Sequence, residues 1–254
     1  MLRPIILGLA ALTGAASIAS PAGAATAGTT AGTTAATAKV LYGFAWADGP
    51  HTLRITPLAP HLVKSGHVPT YTFSPIPGAK ERRVDYSGAD FRRVTSACDL
   101  KETEGVVKVD GKGLGRTRCT ASELAFVLQL GPAPVRISLG SKVLVQEVLA
   151  PATKTKTATG TIKRVNDHAV TFSQGGKTVK LGYTSLSFNR VTKRCDDRWL
   201  ANRAHVSHSG LGTKACDETS FTKALKSAAK PVRAKVYYDS LRGSLMEAWE
   251  VTAA

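Results

Sequence analysis

The 254-residue chain predicts a mainly β, β-rich α+β fold: two tandem barrel- or sandwich-like domains, each with one short helix and one disulfide. Three observations carry that expectation. A stretch of about fifty residues recurs in one register. Each copy holds two cysteines at the same spacing, and apolar residues alternate singly through much of both copies.

The repeat is read directly. Residues 85–98, DYSGADFRRVTSAC, lie over residues 182–195, GYTSLSFNRVTKRC, at a shift of 97. The same shift pairs Tyr86 with Tyr183, Arg93 with Arg190, and Gly113-Leu114-Gly115 with Gly210-Leu211-Gly212. It also pairs Pro134-Val135-Arg136 with Pro231-Val232-Arg233. The domains are expected at 39–150 and 157–254, joined by a Pro/Thr/Lys linker at 151–156. In each copy the cysteines stand 21 positions apart, and four cysteines allow three pairings. The duplication selects Cys98–Cys119 and Cys195–Cys216, since each copy then closes alone. Such a bridge stabilises a domain by roughly 3 kcal/mol. Zinc ligation needs short local spacing such as C-x-x-C, which the chain lacks.

Taken from the N-terminus, Arg3, the apolar run Ile5 to Ala19 and the small-residue triplet Ala22-Gly23-Ala24 form an export signal ending near Ala24. Residues 25–38 are Ala, Gly and Thr only, a flexible tail. No later segment is long and apolar enough to span a bilayer, so a secreted protein is expected, in a compartment that permits disulfides. In copy one, His51 neighbours the first hairpin tip. Residues 58–79, flanked or interrupted by Pro57, Pro60, Pro69, Pro75 and Pro77, form a long loop without counterpart in copy two. Thr120 and Glu123 make a capping box ahead of Leu124, Val127 and Leu128. Strands follow at Val135 to Leu139 and Val143 to Leu149.

Copy two reads as a hairpin, Gly160 to Val165 and Ala169 to Phe172, turning at Asn166-Asp167 beside His168. Strands come next at Thr178 to Leu181 and Leu186 to Thr192, with a short one near His205-Val206. Asp217 caps a helix whose Phe221, Ala224 and Leu225 share a face. Val232, Ala234, Val236 and Tyr238 alternate, residues 239–243 turn, and Leu245 to Val251 returns. The expected core of copy two is Ile162, Val170, Phe172, Leu181, Leu186, Phe188, Phe221, Leu225, Val236 and Trp249, and Tyr86 and Tyr183, at matching positions of the two copies, are each expected in a core or at its rim.

A single helix ahead of the last two strands resembles the OB-type barrel of small secreted bacterial domains, five strands with a helix between the third and fourth. The opening GTIKRVNDHAVTF and closing PVRAKVYYDSLRGSLMEAWEV of copy two carry that resemblance. A small α+β sandwich is the alternative.

No catalytic set, metal site or cofactor is expected. There is no G-x-S-x-G elbow. His205-x-x-His208 is the only close histidine pair, and residues three apart on a strand face opposite sides. The Gly-Leu-Gly segments read as tight turns, and Asp99 and Asp196 as braces of the disulfide loops. A hydrolase would need His168, His205 and Glu247 to converge. Charge is the remaining signal: 34 Lys and Arg against 18 Asp and Glu, a net +16. It points either to a solvated surface or to an anionic extracellular polymer or envelope component as partner. The candidate contacts are Lys80, Arg93, Arg136, Lys177, Arg190, Arg198, Trp199, Arg203 and Arg233. Matching sites on two copies would bind with multivalency. A protein partner reached through residues 61–77, as in an inhibitor or assembly factor, is the second reading.

Overall fold

The computed structural model describes residues 39–64 and 66–252. The expected signal peptide and Ala/Gly/Thr tail lie outside the described residues. Half one opens with β1 (Lys39–Ala47) and β2 (Thr52–Ile55). A separate hairpin follows, β3 (Leu58–Val63) with β4 (Thr70–Pro75), and then β5 (Arg82–Asp85). Strands β6 (Asp90–Arg93) and β7 (Thr117–Cys119) flank the disulfide loop. Helix α1 (Ala121–Leu130) leads into the closing hairpin β8 (Ala133–Leu139) and β9 (Val143–Glu147).

Half two repeats the plan without the extra hairpin. It runs β10 (Thr155–Asn166), β11 (Ala169–Gln174), β12 (Lys177–Gly182), β13 (Ser187–Arg190) and β14 (Lys214–Cys216). Then come α2 (Glu218–Lys226), β15 (Val232–Asp239) and β16 (Ser244–Glu250). The end of the expected linker is therefore strand from Thr155 onward. The short strand expected near His205-Val206 is a single bridge, Val206 to Gly212.

Strand order is the same in both halves: β5-β2-β1-β8-β9-β6-β7 and β12-β11-β10-β15-β16-β13-β14. The last strand of each half runs parallel to its β6 or β13 neighbour. In half two Gly182 of β12 also meets Ser244 of β16, so β12, β11, β10, β15 and β16 close a ring. Both β12 and β13 lie against β16, as one strand broken at residues 183–186 would. The disulfides Cys98–Cys119 and Cys195–Cys216 pair within each half, with Cα atoms 5.7 Å apart in both.

Two glycines let the first strands curl. A Cβ on Gly43 would sit 2.7 Å from the Thr56 carbonyl oxygen, and one on Gly160 would sit 2.4 Å from that of Ser173. They occupy one place in the two halves, and they anchor the register. Gly43 lies opposite Val135, but Gly160 lies opposite Ala234. The Pro-Val-Arg match is thus out of step in space by two residues, and Arg136 corresponds to Lys235, not to Arg233.

Each half has its own core. In half two the helix lays Phe221, Ala224 and Leu225 on Ile162, Val170, Phe172, Leu181, Leu186, Phe188 and Val236. Tyr183 joins this cluster and Tyr86 joins that of half one. The caps form as the sequence implies. Glu123 accepts from the Thr120 amide at 2.6 Å, and Asp217 accepts from the Ser220 amide at 2.8 Å. Trp249 departs from the expected core: it lies half-buried on the outer face of β16, with Ala248 inside.

The proline-rich segment is not a loop. Tyr71 and Phe73 alternate along β4, and Pro60 and Pro75 sit in a two-stranded ribbon, where strand edges tolerate proline. The ribbon packs on the outer face of half one: Tyr71 lies tilted against Tyr42 at 5.6 Å and Phe73 meets Phe44 edge-on at 5.3 Å. Leu114 and Val148 complete this second small core. Tyr71 donates its hydroxyl to the Lys112 carbonyl at 2.7 Å, and burial first of all pushes that hydroxyl's pKa up to about 12.

Candidate functional site

Two of the candidate cations are interior. Arg93 and Arg190 stand two residues after Phe91 and Phe188 on the same strands, hence on the same inward face. Arg190 is fully buried and Arg93 nearly so. The Arg190 guanidinium donates to Glu250 at 2.8 Å and to the carbonyls of Cys195, Asp197 and Arg198 at 2.6, 2.8 and 2.9 Å. Glu250 in turn accepts from the amides of Val191 and Leu200. Arg93 repeats the arrangement with Glu147 and the carbonyls of Cys98 and Leu100. A planar fork of five donors is suited to gathering several carbonyls at once. These arginines fold the disulfide loops and offer nothing to a polyanion.

Behind each Arg the loop chain turns tightly, as the Gly-Leu-Gly pattern implies. Gly113 and Gly210 take the left-handed conformation, at φ 74° and 75°. A Cβ on Gly212 would stand 2.4 Å from the Arg190 carbonyl carbon and the Asn189 oxygen. In half two Asp196 pairs with Arg194, and Asp197 caps the Arg194 amide.

The remaining candidates separate. Lys80, Lys177, Arg198, Arg203 and Arg233 are exposed. Lys80 precedes β5, Lys177 opens β12, and Arg198 and Arg203 ride the second disulfide loop. Trp199 is not an exposed aromatic. It is half-buried and stacks on Phe188 at 5.5 Å, which attaches the loop to the core. Arg136 is half-buried and donates to Gln146 at 2.9 Å.

Arg233 falls within a group on the sheet, and its neighbours are residues the sequence reading missed. On β15 the outward positions are Arg233, Lys235 and Tyr237. Across the strands, Thr161 faces Arg233, Thr159 faces Lys235, and Trp249 faces Lys235 from the other side. The Lys235 ammonium lies 5.5 Å from the Trp249 ring centroid. Lys163 follows Thr161 on the same face of β10. Lys163, Arg233 and Lys235 form no ion pair among the described residues. One carboxylate, Glu247, lies at the far end, opposite Tyr237, and accepts from Asn189 at 2.7 Å.

The same face in half one is different in kind. Tyr42, Phe44, Pro134, Arg136 and Gln146 stand where half two has Thr159, Thr161, Arg233, Lys235 and Trp249. The apolar positions there are covered by the β3–β4 ribbon. The two copies therefore do not present like sites, and the basis for multivalency between them is removed.

Among known proteins, no family model, curated protein or solved structure matches this chain.

A cleft of about 710 Å³ lies between the halves, lined in part by Trp46, Asp48, Arg54, Arg164, Asp167 and His168. Its charges are already paired. Arg54 meets Glu81 at 3.2 Å, Asp48 meets Arg83 at 2.6 Å, and Asp167 meets Arg164 and Lys226 at 2.5 and 2.9 Å. Hydrogen bonds from Arg164 and then Lys226 hold the Asp167 carboxyl down to about 2. Because that value is depressed, the pairing contributes above the ordinary carboxylate range and is lost as pH falls through about 2. A carbon-detected NMR titration should show the low midpoint, and Arg164→Ala should return it toward the ordinary value. His168, His205 and Glu247 lie on a hairpin turn, the disulfide loop and the outer sheet face respectively. Among the described residues no three His, Cys, Asp or Glu side chains gather as metal ligands.

Proposed function

We propose that this chain is a secreted, non-catalytic binding protein that holds an anionic extracellular polymer on the open outer face of β10, β15 and β16. One observation carries the reading. The equivalent face of half one carries Tyr42 and Phe44 under an inserted hairpin, while that of half two is open and places Lys235 against a tryptophan, with Arg233 and Lys163 further along the same face. Cations without acidic partners attract a polyanion by releasing its counterions.

Other features agree with it. Disulfides suit an oxidising compartment. Among the described residues no helix is long and apolar enough to cross a membrane. The strand order of half two favours an OB-type reading: a three-stranded meander, a helix, and a closing hairpin whose last strand runs parallel to the third strand and to β13. Barrels of that type bind oligosaccharides and oligonucleotides.

The test is retention on immobilised heparin and on polyphosphate as salt is raised. The wild type should elute steeply with ionic strength. Arg233→Ala with Lys235→Ala should weaken binding roughly 30-fold, at about 1 kcal/mol per cation. The logarithmic salt slope should become shallower by about two. Retention that ignores salt, or an equal loss on replacing the distant Lys80 and Lys177, would overturn the assignment.

A further inference from the structure

The ligand's chemistry is narrowed by what stands beside the cations, given that the polyanion reading holds. Tryptophan is the side chain with the largest apolar surface to leave in water. Half two leaves Trp249 half-open at the place where half one has Gln146. Around it the face is built of small hydroxyl and amide groups, Thr159, Thr161 and Asn189, in place of the Tyr42 and Phe44 of half one. Hydroxyls and amides both donate and accept, which matches a ligand rich in hydroxyls. Glu247, held by Asn189 at 2.7 Å at the end of the face away from Arg233, adds an acceptor that a sugar hydroxyl would use.

The cation density is low as well. Arg233 and Lys235 are two residues apart on one strand, with Lys163 one strand over. A nucleic-acid strand is usually tracked by a longer basic groove with successive exposed aromatics. Here one ammonium lies over one indole, 5.5 Å from ring centre to nitrogen, on a flexible stem that can move aside for a ligand. An aromatic face packs against the C–H face of a sugar ring while the adjacent cation takes that sugar's acidic group. This face is separate from the β11–β12 side of the sheet, where Lys180 is engaged by Glu81 of half one at 2.7 Å.

We infer that the polymer is an acidic polysaccharide, with a sugar ring stacked on Trp249 and its carboxylate or sulfate on Lys235 and Arg233. The experiment uses the mature chain with four probes: an oligouronate, an uncharged glucan oligomer, inorganic polyphosphate and a thymidine oligomer. Oligouronate should bind most tightly, and Trp249→Ala should weaken it at least tenfold, a larger loss than the same change causes on polyphosphate. In the wild type, the indole N–H resonance of Trp249 should shift on adding oligouronate, while those of the buried Trp46 and the core-packed Trp199 stay. That measurement decides the matter even if Trp249→Ala folds poorly.

The outcomes are distinct. Salt-sensitive binding of all polyanions with an unmoved Trp249 resonance overturns the polysaccharide and leaves the polyanion reading standing. Tightest binding of the thymidine oligomer, again with Trp249 engaged, replaces the polysaccharide by a single strand. Absence of salt-sensitive binding to any probe removes both.

Discussion

Replacing Arg190 by leucine should cost half two about 3–5 kcal/mol, the usual effect of removing one partner from a buried ion pair. The reason is what stays behind. Glu250 loses its cation in a fully buried position, and the carbonyls of Cys195, Asp197 and Arg198 lose their donor together. For a folded body of this size, each kcal/mol lowers the melting temperature by roughly 2–4 °C, so a fall of roughly 6–20 °C is expected. Arg190→Met combined with Glu250→Leu should recover only part of it, because no carboxylate is then left without its cation but the three carbonyls and the Val191 and Leu200 amides still lack partners. Urea unfolding of the two variants beside the wild type checks this; a loss under about 1 kcal/mol for Arg190→Leu would mean that the loop is placed by its disulfide alone. Half one shows the cost of the arrangement. Burial pushes the Glu147 carboxyl above its ordinary value, although Arg93 and the Val94 amide pull it down. The folded carboxyl thus holds its proton more tightly than the unfolded one. Its contribution is full below the ordinary carboxylate range and is lost as pH rises through the raised value.

These arginines also mark where the sequence was legible and where it was not. The duplication, the disulfide pairing, both helix caps and nearly all of the second core followed from register and alternation. The same alternation places Arg190 inside beside Phe188, but a charged residue is ordinarily exposed, and that prior outweighed the period. Trp249 failed for another reason. The alternation from Leu245 puts residues 247 and 249 inside, yet the pairing of β15 with β16 shifts between Tyr237 and Tyr238. The bulge flips every later side chain, so Ala248 and Glu250 point inward. The ribbon of half one was hidden by its prolines, although Tyr71 and Phe73 already carried a strand's period. Deleting residues 61–77 to test the protein-partner reading would also remove most of this ribbon. That deletion uncovers Tyr42, Phe44 and Leu114, so it disturbs the fold before it tests a partner.

Wedging the two halves apart should convert one unfolding transition into two. Trp46 belongs to β1 of half one, yet it is only 4% exposed because half two covers it. Its indole N–H donates to the Arg242 carbonyl at 2.9 Å. Arg54 lies over its ring at 5.1 Å, and Arg242 lies over Phe44 at 5.3 Å. Glu81 joins Arg54 in its own half to Lys180 in the other. Burial alone would raise the Glu81 carboxyl, but Lys180 and Arg54 hold it below its ordinary value. That part of the seam is present above the usual carboxylate range and is lost as pH falls through the lowered value. Gly182 leaves room for all of this: a Cβ there would lie 2.6 Å from an Arg54 nitrogen and 2.9 Å from the Trp46 ring. Arg54 can swing aside for a methyl, but a Gly182→Leu side chain needs the space of the indole itself. Gly182→Leu should therefore separate the halves, raise the radius of gyration in solution scattering and split the thermal transition. Trp46→Ala should do the same at about 3–5 kcal/mol. Gly88→Leu, at a glycine whose Cβ would meet nothing within 4 Å, should change neither measurement. A single unsplit transition and an unchanged radius in Gly182→Leu would show that the halves are joined by the chain between them and not by this seam.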